Sequence, residues 1–267
     1  MKNKVIIITG ASSGIGRACA SAFFKRGARL ALVARTESKL IELTNSIQNL
    51  GGEAMYVVAD VSNESDCAKM IGKVVDRYGQ IDVLVNNAGI SMRALFLDLD
   101  LADFKKVMNI NFYGTIYATK YALTHILARQ GSVVGVSSIA GHKGLPARTA
   151  YSASKFAMRG FLEALRIENL KKGLHVLIAS PGFTASNIRQ NALNSSGENQ
   201  QESPRNETKM MSAEEVSERI VIAVQKRQNS IVLTSQGKLL VFLNKFLPNL
   251  VDRLVFRSLS KEKKSPF

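Results

Sequence analysis

Seven short apolar runs punctuate the chain and alternate with longer stretches whose apolar positions recur every three or four residues. The runs "KVIIIT" (4–9), "ARLALVA" (28–34), "EAMYVVA" (53–59), "DVLVN" (82–86), "GSVVGVS" (131–137), "LHVLIA" (174–179) and "SIVLT" (230–234) read as strands. They are rich in Val, Ile and Leu without strict polar alternation, the pattern of a parallel sheet covered on both faces. The stretches 14–26, 37–50, 63–78, 102–129, 150–172 and 212–228 carry the helical period. Asn63 stands where a helix cap is expected, and Ser212 followed by Glu215 forms a capping-box pattern. Strand–helix units repeated in this way connect by right-handed crossovers. The predicted fold is therefore α/β, a doubly wound, mostly parallel seven-stranded sheet with helices on both faces.

Two segments break the rhythm. Residues 189–211 are polar and aperiodic and read as a long loop, a kind of segment that is usually functional or disordered. Residues 237–259 are helical in composition, and Pro248 should divide them into two short helices. Their apolar arc is wide, with Lys245, Asn249, Asp252, Arg253 and Arg257 as the polar stripe. No linker or internal repeat interrupts 1–236, which reads as one domain, with 237–267 as a basic, amphipathic C-terminal helical extension of it.

Charge changes the picture only locally. The chain of 267 residues has 36 Lys and Arg against 21 Asp and Glu, a formal net charge of +15. Such an excess attracts nucleic acid, anionic lipid or phosphorylated ligands, or is simply solvated. No nucleic-acid recognition motif accompanies it, so no nucleic-acid partner is expected. Cys19 and Cys67 lack metal-ligand spacing, and His125, His142 and His175 are scattered, so no metal is expected either. The first apolar run is too short for a leader and no stretch approaches a membrane span, which points to a cytoplasmic protein.

A nucleotide site is written into the first turn. "VIIITGASSGIGRACA" (5–20) runs strand, glycine-rich turn, helix, with Gly10, Gly14 and Gly16 in a GxxxGxG spacing. Glycines let the backbone approach a pyrophosphate, and the helix N-terminus offers free N–H groups and partial positive charge. The second strand ends at Arg35, where a NAD site would hold an acidic residue on the ribose 2′-hydroxyl. An arginine there suits a 2′-phosphate, so NADP(H) is expected over NAD(H).

A second candidate lies in "AYSASKFAMRGF" (150–161). Tyr151 and Lys155 are one helical turn apart, hence neighbours on one face. An ammonium beside a phenol favours the phenolate and lowers its pKa, which would suit a proton donor working near neutral pH. A chance pair on a helix surface is the alternative.

Taken with "TGASSGIG" (9–16), "DV" (60–61), "NNAG" (86–89), "NINFYGT" (109–115), "SS" (137–138), "YSASK" (151–155) and "SPGF" (180–183), the chain resembles the short-chain dehydrogenase/reductase family from residue 4 to about 235. The resemblance implies a Rossmann fold. It also implies that Tyr151 acts as general acid or base, that Lys155 lowers its pKa and bonds the nicotinamide ribose, that Ser138 holds the substrate oxygen, and that Asn111 positions a proton-relay water. The cofactor cradle implied by the resemblance comprises Gly10, Ser12, Ser13, Gly14, Ile15 and Gly16 with Arg35. Asp60 and Val61 are expected at the adenine edge, and Asn86, Ala88 and Gly89 beside the adenosine. Pro181, Gly182 and Thr184 are expected at the nicotinamide. Ser186 replaces the threonine common in the family and can still bond the carboxamide. "NNAG" also has a plainer role open to it, as a brace of the central sheet.

The implied substrate is a small-molecule ketone or its alcohol. Phe183, Ile188, Met210, Met211, Met92, Leu95, Phe96, Leu145 and Pro146 are candidates for an apolar pocket, and His142 is a candidate for its edge or for the surface. The tail, "SPGFTASNIRQNAL" (180–193) and "SKFAMRGF" (154–161) are similar to the branch of the family acting on steroid and lipid ketones. A 3-ketoacyl thioester reductase and a non-catalytic NADP(H)-sensing regulator are the alternatives; the latter has no need to keep Asn111, Ser138, Tyr151 and Lys155 together. Two readings of 237–267 stay open: peripheral contact with an anionic membrane, or packing on protein. The family also implies a homodimer or homotetramer through the helices at 102–129 and 150–172.

Overall fold

The structure is a computed structural model that describes residues 1–185, 188–203, 210–262 and 265–267. Its strands are β1 (Val5–Thr9), β2 (Arg29–Ala34), β3 (Ala54–Val58), β4 (Val83–Asn86), β5 (Ser132–Val136), β6 (His175–Ser180) and β7 (Ser230–Val232). They form one sheet in the order β3-β2-β1-β4-β5-β6-β7. Every pairing is parallel. The order reverses between β1 and β4, and in such sheets ligands bind in the crevice beyond the C-terminal strand ends at that point.

Each face of the sheet is covered. Helices α1 (Gly14–Phe24), α2 (Glu37–Asn49) and α7 (Ala213–Gln225) bury Phe23, Leu40 and Ile220 on one face. On the other, α3 (Glu64–Tyr78), α5 (Gly114–Ala128) and α6 (Thr149–Glu168) bury Met70, Ile126 and Leu162. The expected caps are present. Asn63 accepts from the Asp66 N–H, and Ser212 and Glu215 exchange reciprocal bonds. Cys19 and Cys67 are buried, and burial pushes both thiols up to about 12.

The predicted helix at 102–129 is not one α-helix. It consists of α4 (Leu101–Met108), a π-helical turn at Asn109–Tyr113, and α5. The wider turn sets Asn111 inward, fully buried, where its side-chain oxygen accepts from the Ile90 N–H at 2.8 Å. Its amide donates to the Ile90 carbonyl at 2.9 Å and to the Ser154 hydroxyl at 3.0 Å. Three satisfied bonds hold a local geometry that regular α-helix would not allow.

The tail divides as the proline demands, into α8 (Ser235–Phe246) and α9 (Pro248–Ser260). Val251, Val255 and Leu259, spaced at i, i+4 and i+8, are buried together and pack with Leu145, Phe183, Leu240 and Leu243. Phe242, Phe246, Leu250, Leu254 and Phe256 remain exposed. One stripe of the tail thus packs on its own domain while another faces outward. Among the described residues no helix is long and apolar enough to cross a membrane.

Candidate functional site

The glycine turn after β1 opens the first cleft. Gly10 has φ +67°, a conformation glycine adopts without steric cost, and a side chain there would meet the Ala88 backbone at 2.9 Å. Gly16 is packed more tightly: a Cβ would lie 2.2 Å from the Gly10 carbonyl oxygen. Gly16 therefore faces the turn and keeps α1 close to it, while Gly10, Ser12, Ser13, Gly14 and Ile15 line the cleft. Ser13, the N-cap of α1, makes no side-chain capping bond, and no acidic residue lies in the first turn. The helix N-terminus is left to an anionic ligand, which fits a dinucleotide pyrophosphate.

This cleft of about 520 Å³ continues past Arg35, Asp60, Val61, Ala88 and Gly89. The Arg35 side chain is 63% exposed and stands 3.9 Å from an Asp60 carboxylate oxygen. Asp60 is itself held by the Ser62 N–H and hydroxyl at 2.9 and 2.7 Å. Thr36 and Lys39 line the same end. The sequence expectation names neither, although Lys39 lies in the first turn of the helix that follows Arg35, four residues beyond it.

Asn86 is not a cleft residue. It is buried, and its amide donates to the Thr119 hydroxyl at 3.0 Å, bracing β4 against α5. Asn87, which the sequence reading left out, lines both clefts and donates to the Thr9 and Gly10 carbonyls at 2.9 and 3.2 Å. Within "NNAG" one asparagine braces the sheet and the other ties the glycine turn to it.

The second, larger cleft, about 1200 Å³, adjoins the first and holds Ser138, Tyr151 and Lys155. Ser138 caps the turn after β5 by accepting from the Ala140 N–H at 3.1 Å, and it hydrogen-bonds the Tyr151 phenol. Burial pushes the phenol up, opposed by the Ser138 bond and by the charges of Arg148 and Arg189. This differs from the expected lowering by Lys155. The lysine is buried, lies 5.7 Å from the Tyr151 ring centroid, and donates to the Val136 carbonyl at 2.9 Å. Burial pushes its own pKa down to about 8. Asn111 joins the group through Ser154, whose hydroxyl donates to the Tyr151 carbonyl at 2.7 Å.

Pro181, Gly182 and Thr184 line this cleft together with Phe183, Ile188, Met210, Met211 and Leu145. Ser186 lies outside the described residues. Met92 belongs instead to a small core with Ala94, Leu99 and Val107. Phe96 is exposed, and neither it nor Leu95 nor Pro146 reaches the cleft. His142 stands away from it, bonded to Ser180 and Arg159, and burial lowers its pKa to about 4. In the described parts of the segment after β6, Leu193 bridges to Met92 and Thr184 to Met211. The far wall comes from the tail: Leu239, Leu243, Val255 and Glu262 face the same space. From composition alone the tail has two apolar sides, and which one packs was not legible.

Comparison with known proteins agrees with this geometry. The short chain dehydrogenase family model matches residues 4–196. The mouse dehydrogenase/reductase SDR family member 7B is 34% identical over 271 residues, spanning 99% of this chain and 84% of that protein. The 11-beta-hydroxysteroid dehydrogenase-like 2 protein of Arabidopsis thaliana is 40% identical over 187 residues, 69% of this chain and 60% of its own length. The solved structure of an alcohol dehydrogenase from the archaeon Thermococcus sibiricus complexed with 5-hydroxy-NADP superposes with a TM-score of 0.76 at 25% identity. That superposition covers 87% of this chain and 96% of the archaeal one.

Proposed function

Because the chain belongs to the short-chain dehydrogenase family, we propose that it is an NADP(H)-dependent oxidoreductase interconverting an apolar, lipid-like or steroid-like ketone and its secondary alcohol. The observation that carries this reading is the meeting of Ser138, Tyr151 and Lys155 in a cleft continuous with the glycine-turn crevice. When bound, the cofactor supplies or accepts the hydride. The protein supplies placement and protons. Gly10 to Ile15 and the α1 N-terminus receive the pyrophosphate, Asp60 and Val61 border the adenine end, and Arg35 with Lys39 binds the 2′-phosphate. Ser138 holds the carbonyl oxygen and stabilises the charge that develops there. Tyr151, kept protonated by its buried setting, gives its proton to that oxygen and takes it back in the reverse direction. Lys155, held at the Val136 carbonyl, returns the proton to Tyr151, and Asn111, anchored at Ile90 and Ser154, positions the water that relays protons to Lys155.

Support for an apolar substrate comes from the wall built by Phe183, Leu145 and the tail. The name of the plant relative, an 11-beta-hydroxysteroid dehydrogenase-like protein, points the same way. Ketone-dependent oxidation of NADPH tests the reading; cofactor binding with no ketone-dependent oxidation would refute it.

The same reading includes peripheral contact with an anionic membrane. Leu239 and Leu254 line the cleft and are also exposed, 58% and 47%, so the mouth opens onto the outward apolar face with Phe242 and Phe246. Lys238, Lys245, Arg253, Arg257 and Lys261, on the same two helices or just past them, are exposed as well, as expected of a helix pair lying on acidic headgroups. Wild type should co-sediment with phosphatidylserine vesicles and Phe242→Glu/Phe246→Glu should not. Equal sedimentation of the two would remove the membrane from the account. Homo-oligomerisation through α5 and α6 is proposed as well, since Tyr121 and Phe156 on these helices, and Tyr113 just before α5, are exposed. A light-scattering mass of one chain would exclude it.

A further inference from the structure

The tail does more than lean on the cleft. Just past α9, the Glu262 carboxylate lies 3.5 Å from the Arg93 guanidinium and 3.4 Å from that of Arg148. The three side chains are 3%, 9% and 9% exposed. Arg93 comes from the segment after β4, and Arg148 caps α6 three residues before Tyr151. Charges this deeply buried are costly unless paired in good geometry, so loss of the bridge favours a tail that swings outward and returns these groups to water. The carboxylate therefore fastens the C-terminal end of α9 to the segment after β4 and to the N-terminus of α6, three residues before Tyr151. Between this bridge and α8 lie Val251, Val255 and Leu259, whose apolar side chains complete the cleft. A second tie, Lys143 to Asp252 at 2.6 Å, holds the opposite end of α9 to the segment after Ser138.

We propose that Glu262 is a positioning residue for substrate selection: by bridging Arg93 and Arg148 it seats α9 as the far wall of the cleft, and the seated wall holds bulky apolar ketones against Tyr151. This rests on the reading of the cleft as a ketone site. A short ketone, touching only Ser138 and Tyr151, does not need the wall; a long or polycyclic one does. Loss of the bridge therefore weakens binding of large substrates and spares small ones.

The test uses the full chain with Glu262→Gln, Glu262→Asp and Arg93→Met. Three readouts are taken: tryptic cleavage at Arg253 and Arg257, equilibrium dialysis of a labelled ketosteroid, and KM and kcat for a ketosteroid and a short ketoester. In Glu262→Gln and Arg93→Met, cleavage within α9 should be about tenfold faster and ketosteroid affinity about tenfold weaker. The ketoester kcat should stay within about twofold, the melting temperature should hold, and the aspartate should restore much of the loss. Unchanged cleavage and affinity would overturn the inference, as would equal losses for both ketones accompanied by a fallen melting temperature. Cleavage and dialysis do not need turnover. If wild type turns over no ketone while the variants still lose ketosteroid binding and gain cleavage, the seating stands and the oxidoreductase reading falls.

Discussion

The Lys155 ammonium donates to the Val136 carbonyl at 2.9 Å instead of bonding the Tyr151 phenol one turn away. Its charge is buried against the end of β5, which lowers its pKa to about 8. The folded protein thus binds this proton less tightly than the unfolded chain does. Stability from this group must rise with pH between about 8 and the ordinary lysine value, and the full penalty applies below about 8. Lys155→Met should therefore stabilise the cofactor-free protein at pH 7, by about 1–3 kcal/mol once the lost bond to Val136 is allowed for. The gain should shrink towards pH 10. Urea unfolding of both proteins at the two pH values checks this; a destabilised variant at pH 7 would show that the ammonium is better satisfied than its one bond suggests.

Selection of the cofactor should be divided between two cations. Arg35 is mostly exposed and shares its charge with Asp60, while Lys39 lines the same end of the cleft. A charge-assisted bond to a phosphate contributes about 1.5–3 kcal/mol. Arg35→Asp should lower NADPH affinity about tenfold or more, and Arg35→Ala/Lys39→Ala should abolish the preference over NADH. Fluorescence titration with both nucleotides measures it. A double variant that still prefers NADPH would place the reader of the 2′-phosphate elsewhere.

Asp82 ties the N-terminal ends of the sheet together. It is buried and accepts from the Val5 N–H at 2.9 Å, Lys4 at 3.1 Å and Gln80 at 2.7 Å. Burial alone would raise its pKa, but the bonds from Val5, Lys4 and Gln80 outweigh it and hold the carboxyl below the usual value. A depressed folded pKa means stability that is present above the unfolded value and lost as pH falls through the folded one. Asp82→Asn should cost about 2–4 kcal/mol at pH 7 in urea unfolding. The deficit should narrow in acid, below the ordinary Asp value; a constant deficit would mean that the charge itself contributes nothing.

The sheet and its order of elements were legible because unalternated Val/Ile/Leu runs separated by helical periods admit few other folds. Gly10 and Arg35, expected together at a cofactor cradle, do line one cleft, and their meeting was legible because turn geometry and charge there depend on residue type. Other features were not legible, for physical reasons. The π-turn at Asn109–Tyr113 adds one residue to a helical repeat, a shift too small to disturb the apolar pattern around it. Asn86 and Asn87 are chemically identical neighbours, and only the strand's end decides which braces Thr119 and which ties the turn. The pairing of Lys155 with Val136 depends on where β5 ends, not on the i, i+4 spacing to Tyr151. Glu262 reads as one charge among many basic ones, and its partners lie far away in sequence.

The most direct test is NADPH oxidation by the full chain against ketones of rising length and ring count, with Tyr151→Phe as the blank. The panel runs from short ketoesters through 3-ketoacyl thioesters to ketosphingoid bases and ketosteroids. Turnover should be confined to the long and polycyclic ketones and fall by about 100-fold or more in the blank, which should still bind NADPH. Best turnover on the thioesters, or a Tyr151→Phe protein as active as wild type, would contradict the proton-donor cleft walled by the tail.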